Sequence, residues 1–242
     1  MAAPRKVRAT VTGIQRYEGE ITLFKLQTEV PCRFKPGQFL HFAIDPYDPS
    51  FNWPESRVFS IANAPTGDTE IEILISPKGT FTQRMIHDLQ IGSEAWIKLP
   101  FGVFNFDSSI GKDVVLVAGG TGISPFLSFL RSQLEKEVSC KSVQLYYGVR
   151  NPGLIIFDGL LSECALNLPG FNYHIYCERG LSADTTFQHT GMLPVSEIVK
   201  STASSPSVVY YLSGPAAMIG AFEKEILRQG VSGERVIYDR WE

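Results

Sequence analysis

At 242 residues the chain is longer than one ordinary domain needs, and a 44% hydrophobic share against 19% charged argues against a disordered or fibrous protein. The net charge of −3, with no Lys/Arg-rich run among interleaved aromatics, argues against a nucleic-acid partner. Cys32, Cys140, Cys164 and Cys177 form no C-x-x-C pair, which argues against a zinc or iron–sulfur centre held by this chain and makes a reducing, cytoplasmic location the expectation.

The basic start MAAPRKVRAT has no apolar segment behind it, and no stretch reaches the roughly 18 apolar residues of a membrane span, so neither a leader nor a span is expected. From Val7 to about Leu99 the apolar residues fall in short segments, VRATVTGI, ITLFKLQT, FLHFAI, VFSIA, IEILIS and AWIKL, with Gly and Pro between them. Segments of this length, rich in β-branched and aromatic residues, predict six antiparallel strands closing into a barrel. One helical stretch, FTQRMIHDL, follows Gly79. The loop DPYDPSFNWPES carries three prolines and three aromatics, and is read as an insertion whose order depends on packing.

After DSSIGKD the pattern changes. VVLVAGG is a continuous apolar run, SPFLSFLRSQLEK recurs at helical spacing with Pro125 near its start, and the alternation repeats through SVQLYYG, IIFDGLLSECAL, FNYHIYC, SVVYYLSG, PAAMIGAFEKEILRQ and RVIYDRW. Strands apolar throughout and alternating with helices predict a doubly wound α/β domain with a parallel sheet. The expected division is a β-barrel domain over residues 1–108 and an α/β domain over 109–242.

Gly119, Gly120, Thr121 and Gly122 join the first strand of the second half to its first helix, where glycines let a backbone approach a pyrophosphate and the helix start offers free N–H groups. This is not the G-x-G-x-x-G fingerprint, so spacing alone leaves a plain strand-to-helix turn as the alternative. Ser213, Gly214 and Pro215 repeat the arrangement at a later strand end. In the first half, RVFSIAN and PKGTFT are polar islands among apolar strands. Arg57 can clamp a phosphate, Phe59 can lie on a planar ring, Ser60 can hydrogen-bond a ring nitrogen, and the backbone at Gly79 can cradle a phosphate. An exposed arginine, a core phenylalanine and a strand-end serine would fit the same residues.

In order and context these islands resemble the motif series of the ferredoxin-NADP reductase family over nearly the whole chain. The resemblance implies a flavin motif at Arg57, Val58, Phe59 and Ser60, with Arg57 on the pyrophosphate, Phe59 against the isoalloxazine and Ser60 near flavin N5. Phe59 stands where the family's usual residue is Tyr, keeping the face and losing the hydroxyl. It likewise implies Lys78, Gly79, Thr80 and Thr82 for the flavin phosphates, and Gly120, Thr121, Gly122 and Pro125, followed by Gly148 and Arg150, for the nicotinamide dinucleotide. FAD is implied over FMN as the family's commoner choice.

Two departures qualify the transfer. The family's Cys-Gly-Pro is Ser213-Gly214-Pro215 here, so a hydroxyl replaces the thiol beside the nicotinamide. At CERG, Glu178 would accept hydrogen bonds from a ribose diol and repel a 2′-phosphate, whereas Arg179 would attract one. The two signals conflict, with a lean to NADH over NADPH. Tyr238 and Trp241 stand where relatives place an aromatic over the flavin, Trp241 being the better placed, and packing on their own domain is the alternative. The function implied is hydride transfer between nicotinamide and FAD, with Ser60 and Ser213 at the reacting groups and electrons leaving to an external carrier such as ferredoxin, flavodoxin or a partner subunit. The alternative is an electron-transfer subunit of a larger complex.

Overall fold

Alternation of apolar and polar residues builds the first sheet. In the computed structural model, which describes residues 3–135, 140–179 and 189–239, β1 (Arg5–Arg16), β2 (Thr22–Thr28), β3 (Phe39–Ala43), β4 (Ser56–Ser60), β5 (Glu70–Ile75) and β6 (Glu94–Phe101) pair antiparallel in the order β4-β3-β6-β1-β2-β5. Val7, Ala9 and Val11 of β1, Leu40 and Phe42 of β3, and Ile97 and Leu99 of β6 point inward with Ile71, Ile73 and Ile75 of β5. Helix α1 (Thr80–Asp88) adds Phe81, Met85 and Ile86 to that core. Each fully buried side chain of this size contributes about 1.5–3 kcal/mol by leaving water.

The two outer strands of this sheet meet at a seam. Ile61 bridges Ile73, and the Ala62 amide donates to the Glu72 carbonyl at 2.8 Å. The Asn63 carboxamide extends the seam by donating to the Glu70 carbonyl at 2.9 Å and accepting from the Glu72 amide at 2.8 Å, standing in for a missing backbone rung. The loop after β3 is tied to α1 by paired hydrogen bonds from Arg84 to Asp45 at 2.8 and 3.3 Å. Its Tyr47 ring packs 5.2 Å from Trp53 and 5.3 Å, edge-on, from Trp96 on the outer wall of β6, so these aromatics are spent on the barrel's own surface.

The second sheet is parallel, in the order β10-β9-β8-β7-β11-β12. Its elements are β7 (Asp113–Gly119), α2 (Ser124–Glu135), β8 (Ser142–Val149), α3 (Asp158–Asn167), β9 (Phe171–Cys177), β10 (His189–Thr190), α4 (Val195–Thr202), β11 (Val209–Ser213), α5 (Ala216–Arg228) and β12 (Val236–Asp239). One face, with Val115, Val117, Tyr210 and Leu212, packs on Ile198 and Val199 of α4 and Ile219, Phe222 and Ile226 of α5. On the other face the Tyr173 hydroxyl lies 3.4 Å from Ser162 Oγ of α3. Helices on both faces explain why the strands read as unbroken apolar runs.

By backbone proximity the chain forms two units, Met1–Asn105 with Ser124–Ser132, and Phe106–Ile123 with Gln133–Glu242. Most of α2 therefore belongs to the first unit, whereas the sequence assigned the whole helix to the second domain. The reason is polar: Ser128 Oγ donates to the Asn63 carbonyl at 2.7 Å, and Arg131 donates to the Ala62 carbonyl at 3.0 Å while pairing with the buried Glu72 carboxylate at 2.5 Å. Among the described residues, no helix is long and apolar enough to cross a membrane.

Candidate functional site

In the second unit the strand order reverses between β7 and β11. The chain steps outward through β8, β9 and β10, then returns to lay β11 and β12 on the opposite side of β7. The carboxyl ends of β7 and β11 form the crevice where open α/β sheets bind ligands. Those ends carry Gly119 to Gly122 and Ser213 to Pro215, with Ser213 in register with Ala118.

Contact between the two turns depends on missing side chains. A Cβ on Gly122 would stand 2.4 Å from the Ser213 carbonyl oxygen and 2.7 Å from Gly214 Cα, and one on Gly214 would stand 2.9 Å from the Gly119 amide nitrogen. Gly120, at φ +54°, has open space beside its α-carbon, a left-handed glycine presenting bare backbone. Thr121 is half-buried and Pro125 is buried in the first turn of α2. Gly148 is in register with Gly119, and Leu193 lies over it, 3.1 Å from where a Cβ would stand.

Ser213 is fully buried, and its hydroxyl donates to Asp239 Oδ2 at 3.2 Å. Asp239, buried in register with Ser213 on β12, is the residue that sequence reading missed. Its only signal was an acidic side chain ending an apolar strand, VIYD, where a buried carboxylate needs a donor. The Tyr238 hydroxyl donates to Glu223 Oε1 at 2.8 Å and its ring packs in the core of its own unit, which removes it from candidacy as a ring cover. Trp241 lies outside the described residues. Arg150, Glu178 and Arg179 are exposed at the neighbouring ends of β8 and β9, held by the Glu178 amide on the Val149 carbonyl at 2.9 Å and the Arg179 amide on the Arg150 carbonyl at 2.8 Å.

In the first unit the fold brings the two polar islands together. The Arg57 guanidinium lies 5.1 Å from the Phe81 ring centre at the start of α1, while its N–H groups donate to Glu55 Oε1 at 2.7 Å and the Ser56 carbonyl at 2.9 Å. Lys78, Gly79 and Thr80 are exposed ahead of that helix. Thr82 Oγ1 accepts from the Lys78 and Gly79 amides at 2.9 and 3.2 Å, so it holds the turn with both N–H groups gathered on one side. Alternation along β4 puts Arg57 and Phe59 on one face and Val58 and Ser60 on the other. Phe59 is half-buried, packed edge-on to Phe42 at 6.4 Å, and Ser60 is buried.

The description "Oxidoreductase NAD-binding domain" matches residues 116–224, which span both glycine turns. Over 251 aligned residues the chain is 28% identical to the propane 2-monooxygenase reductase component of Mycolicibacterium smegmatis, covering 96% of this chain and 67% of that protein. It is 26% identical to the anthranilate 1,2-dioxygenase electron transfer component of Acinetobacter baylyi, covering 94% and 64%. The chain thus spans about two thirds of the length of these relatives. Among solved structures it is similar to an Amycolatopsis cytochrome P450 reductase, with a TM-score of 0.82, 25% identity, and coverage of 98% of this chain and 70% of that one. The matched nucleotide-binding segment lies within the second, parallel sheet, and over nearly its whole length the chain is similar to reductase and electron-transfer components.

Proposed function

We propose that the chain is an NAD(P)H-dependent flavoprotein reductase, which passes hydride between a nicotinamide dinucleotide and FAD and hands the electrons to an external carrier protein. The observation that carries this reading is the meeting of two glycine turns at the sheet's switch point, with Gly122 too close to the Ser213 carbonyl for any side chain. A plain linking turn needs one such glycine; here two turns pack backbone to backbone and Gly120 stays open at φ +54°, presenting bare backbone of the kind that approaches a pyrophosphate. When bound, FAD and the dinucleotide supply the hydride chemistry.

The chain's own residues bind and orient. Arg57 and the amides of Lys78 and Gly79 hold the flavin phosphates, with Thr80 and Thr82 completing the turn, and the amides Thr82 now engages become available as its hydroxyl rotates away. Val58 and Phe59 set the flavin against β4, and Ser60 donates at the reacting ring nitrogen. Gly120, Thr121, Gly122 and Pro125, with Gly148 and Arg150, hold the dinucleotide backbone. Ser213 lines the nicotinamide end with Gly214 and Pro215, its hydroxyl oriented by Asp239. Glu178 and Arg179 select between NADH and NADPH, and Trp241 covers the ring. The carrier is a ferredoxin, a flavodoxin or a partner subunit, and the four cysteines, all buried thiols, suit a cytoplasmic setting.

The test is the visible spectrum of the purified protein during anaerobic addition of NADH and, separately, NADPH. Flavin bands bleached by one nucleotide are expected; a colourless protein that takes up no FAD, or bands indifferent to both nucleotides, would refute the reading.

A further inference from the structure

Two histidines meet at the outer edge of the parallel sheet. His174 on β9 and His189 on β10, both half-buried, place Nδ1 and Nε2 3.4 Å apart. Parallel register gives each ring a tyrosine from the strand beside it: Tyr146 of β8 stands opposite His174, and Tyr176 of β9 opposite His189. The Tyr146 ring stacks on His174 with centres 5.1 Å apart and 15° between planes, and Tyr176 stacks on His189 at 4.4 Å and 19°. The Tyr146 hydroxyl is fixed in turn, donating to Gln144 Oε1 at 2.9 Å. Packing therefore sets both imidazole planes before anything binds between them.

As a hydrogen bond the contact is long, beyond the roughly 2.7–3.2 Å usual for protein N–H donors. Its length suits a metal ion. Imidazole nitrogens lie about 2.0–2.1 Å from Zn2+, and two nitrogens 3.4 Å apart then subtend about 110° at the ion, close to a tetrahedral angle. Each neutral ring carries one N–H. Moving the proton between the rings to the far nitrogen of its own ring leaves a lone pair on both facing nitrogens, with no change in charge. Burial first, and His189 second, hold His174 below the ordinary imidazole value, which favours the neutral form that a metal takes. Among the described residues no third His, Cys, Asp or Glu joins the pair, so water fills the remaining positions at two half-buried rings.

We propose that His174 and His189 form a two-histidine chelate for a divalent transition cation of the Zn2+, Ni2+ and Cu2+ class, bridging β9 to β10. Imidazole suits these ions, whereas Mg2+ and Ca2+ take oxygen ligands. The bridge falls where the sheet is weakest: β10 has two residues, after which the Gly191 amide donates to the Cys177 carbonyl at 2.7 Å. Beyond Gly191, Leu193 lies over Gly148, so the cation staples the strand that leads into that contact. Cysteine spacing gave no expectation of a metal, and the two histidines, 15 residues apart, meet only because β10 pairs with β9.

The test is calorimetric titration of the purified full chain with ZnCl2, NiCl2 and, as the oxygen-seeking control, MgCl2. One equivalent of Zn2+ or Ni2+ should bind, and Mg2+ should not. His174→Gln and His189→Gln should each weaken binding at least tenfold, as should His189→Phe, which keeps a ring on Tyr176. Of the chain's 4 histidines the other two, His41 and His87, lie in the first unit, and His87→Gln should bind as wild type does. Hydrogen exchange at the Gly191 amide should slow when Zn2+ is added to wild type but not to the His174 and His189 variants. No saturable binding by millimolar Zn2+, or binding unchanged in both glutamine variants, would overturn the site, as would Gly191 exchange in wild type indifferent to the ion. Neither measurement needs flavin or nicotinamide turnover, so the outcome stands apart from the reductase reading.

Discussion

Ser213 and Asp239 face each other across adjacent parallel strands, the serine hydroxyl donating to the carboxylate at 3.2 Å with both side chains buried. Replacing Ser213 with Ala leaves a buried carboxylate short of one donor, at a cost of about 1–3 kcal/mol in stability. The same change removes the hydroxyl proposed to stand at the nicotinamide. Chemical denaturation should show the loss, and stopped-flow should show slower flavin bleaching; a variant as stable and as fast as wild type would show that the pair does neither.

Gly122 and Gly120 separate two reasons for glycine. Gly122→Ala puts a methyl 2.4 Å from a backbone oxygen, which the turn can relieve only by moving, whereas Gly120→Ala meets open space and bears only the strain of φ +54°. The first should cost at least the 1–3 kcal/mol of an overpacked site and abolish nucleotide-driven bleaching. The second should cost about 1 kcal/mol. Nucleotide titration of both variants, each loaded with FAD, checks the ranking, and equal effects would mean that close approach to β11 is not what the turn requires.

Ser60 is proposed to act on the reacting flavin nitrogen, not on the dinucleotide. Loss of one hydrogen bond of about 1.4 kcal/mol in the reacting state corresponds to a tenfold slower step. Ser60→Ala should therefore slow bleaching about tenfold while the nucleotide concentration giving half-maximal rate changes little. An unchanged bleaching rate would exclude that role.

Glu178 and Arg179 follow β9 side by side and exposed, so each can be tested alone. Glu178→Gln should raise the preference for NADPH, and Arg179→Gln should lower it, each by several-fold at low salt. The ratio of kcat/KM for the two nucleotides is the measurement, and a ratio indifferent to both substitutions would move selectivity elsewhere, Arg150 first.

At the amino end of the parallel sheet, Asp113 accepts hydrogen bonds from Ser205 at 2.6 Å, Ser142 at 2.7 Å and Ser207 at 2.8 Å, with Lys141 at 3.3 Å. The Ser205 hydroxyl foremost, then Ser142, holds the Asp113 carboxyl well below the ordinary carboxylate range. A carboxyl lowered on folding stabilises the protein above its unfolded value near 3.8, and that stabilisation drains away as the pH falls below it. Asp113→Asn should be less stable than wild type at pH 7 and lose less stability on acidification. Denaturation midpoints between about pH 6 and pH 3 test this, and parallel curves for the two proteins would contradict it.

Patterning made most of the architecture legible. β1 and β6 alternate because one face of each is buried, and the runs VVLVAGG and SVVYYLSG do not alternate because helices cover both of their faces. The strand β10 and the helix α4 escaped that reading for want of length: two residues and eight leave too little period to recognise. Arg57, Gly120 to Gly122 and Ser213 to Pro215 were visible as islands because polar and glycine residues at strand ends contradict the surrounding pattern.

Long-range proximity was not legible. Nothing local pairs Ser213 with Asp239, seats Lys98 between His41 and Lys6, or ties Arg131 to the barrel seam through Glu72 and Ala62, since these contacts follow from strand order and register. The sequence by itself determined which segments become strands and helices and which strand ends are bare enough to receive a ligand, because burial periodicity and glycine act within a few residues. Only the tertiary structure decided that β7 and β11 are neighbours, and therefore that two ordinary-looking turns pack against each other, because adjacency in a sheet is a choice among pairings that the whole chain makes at once.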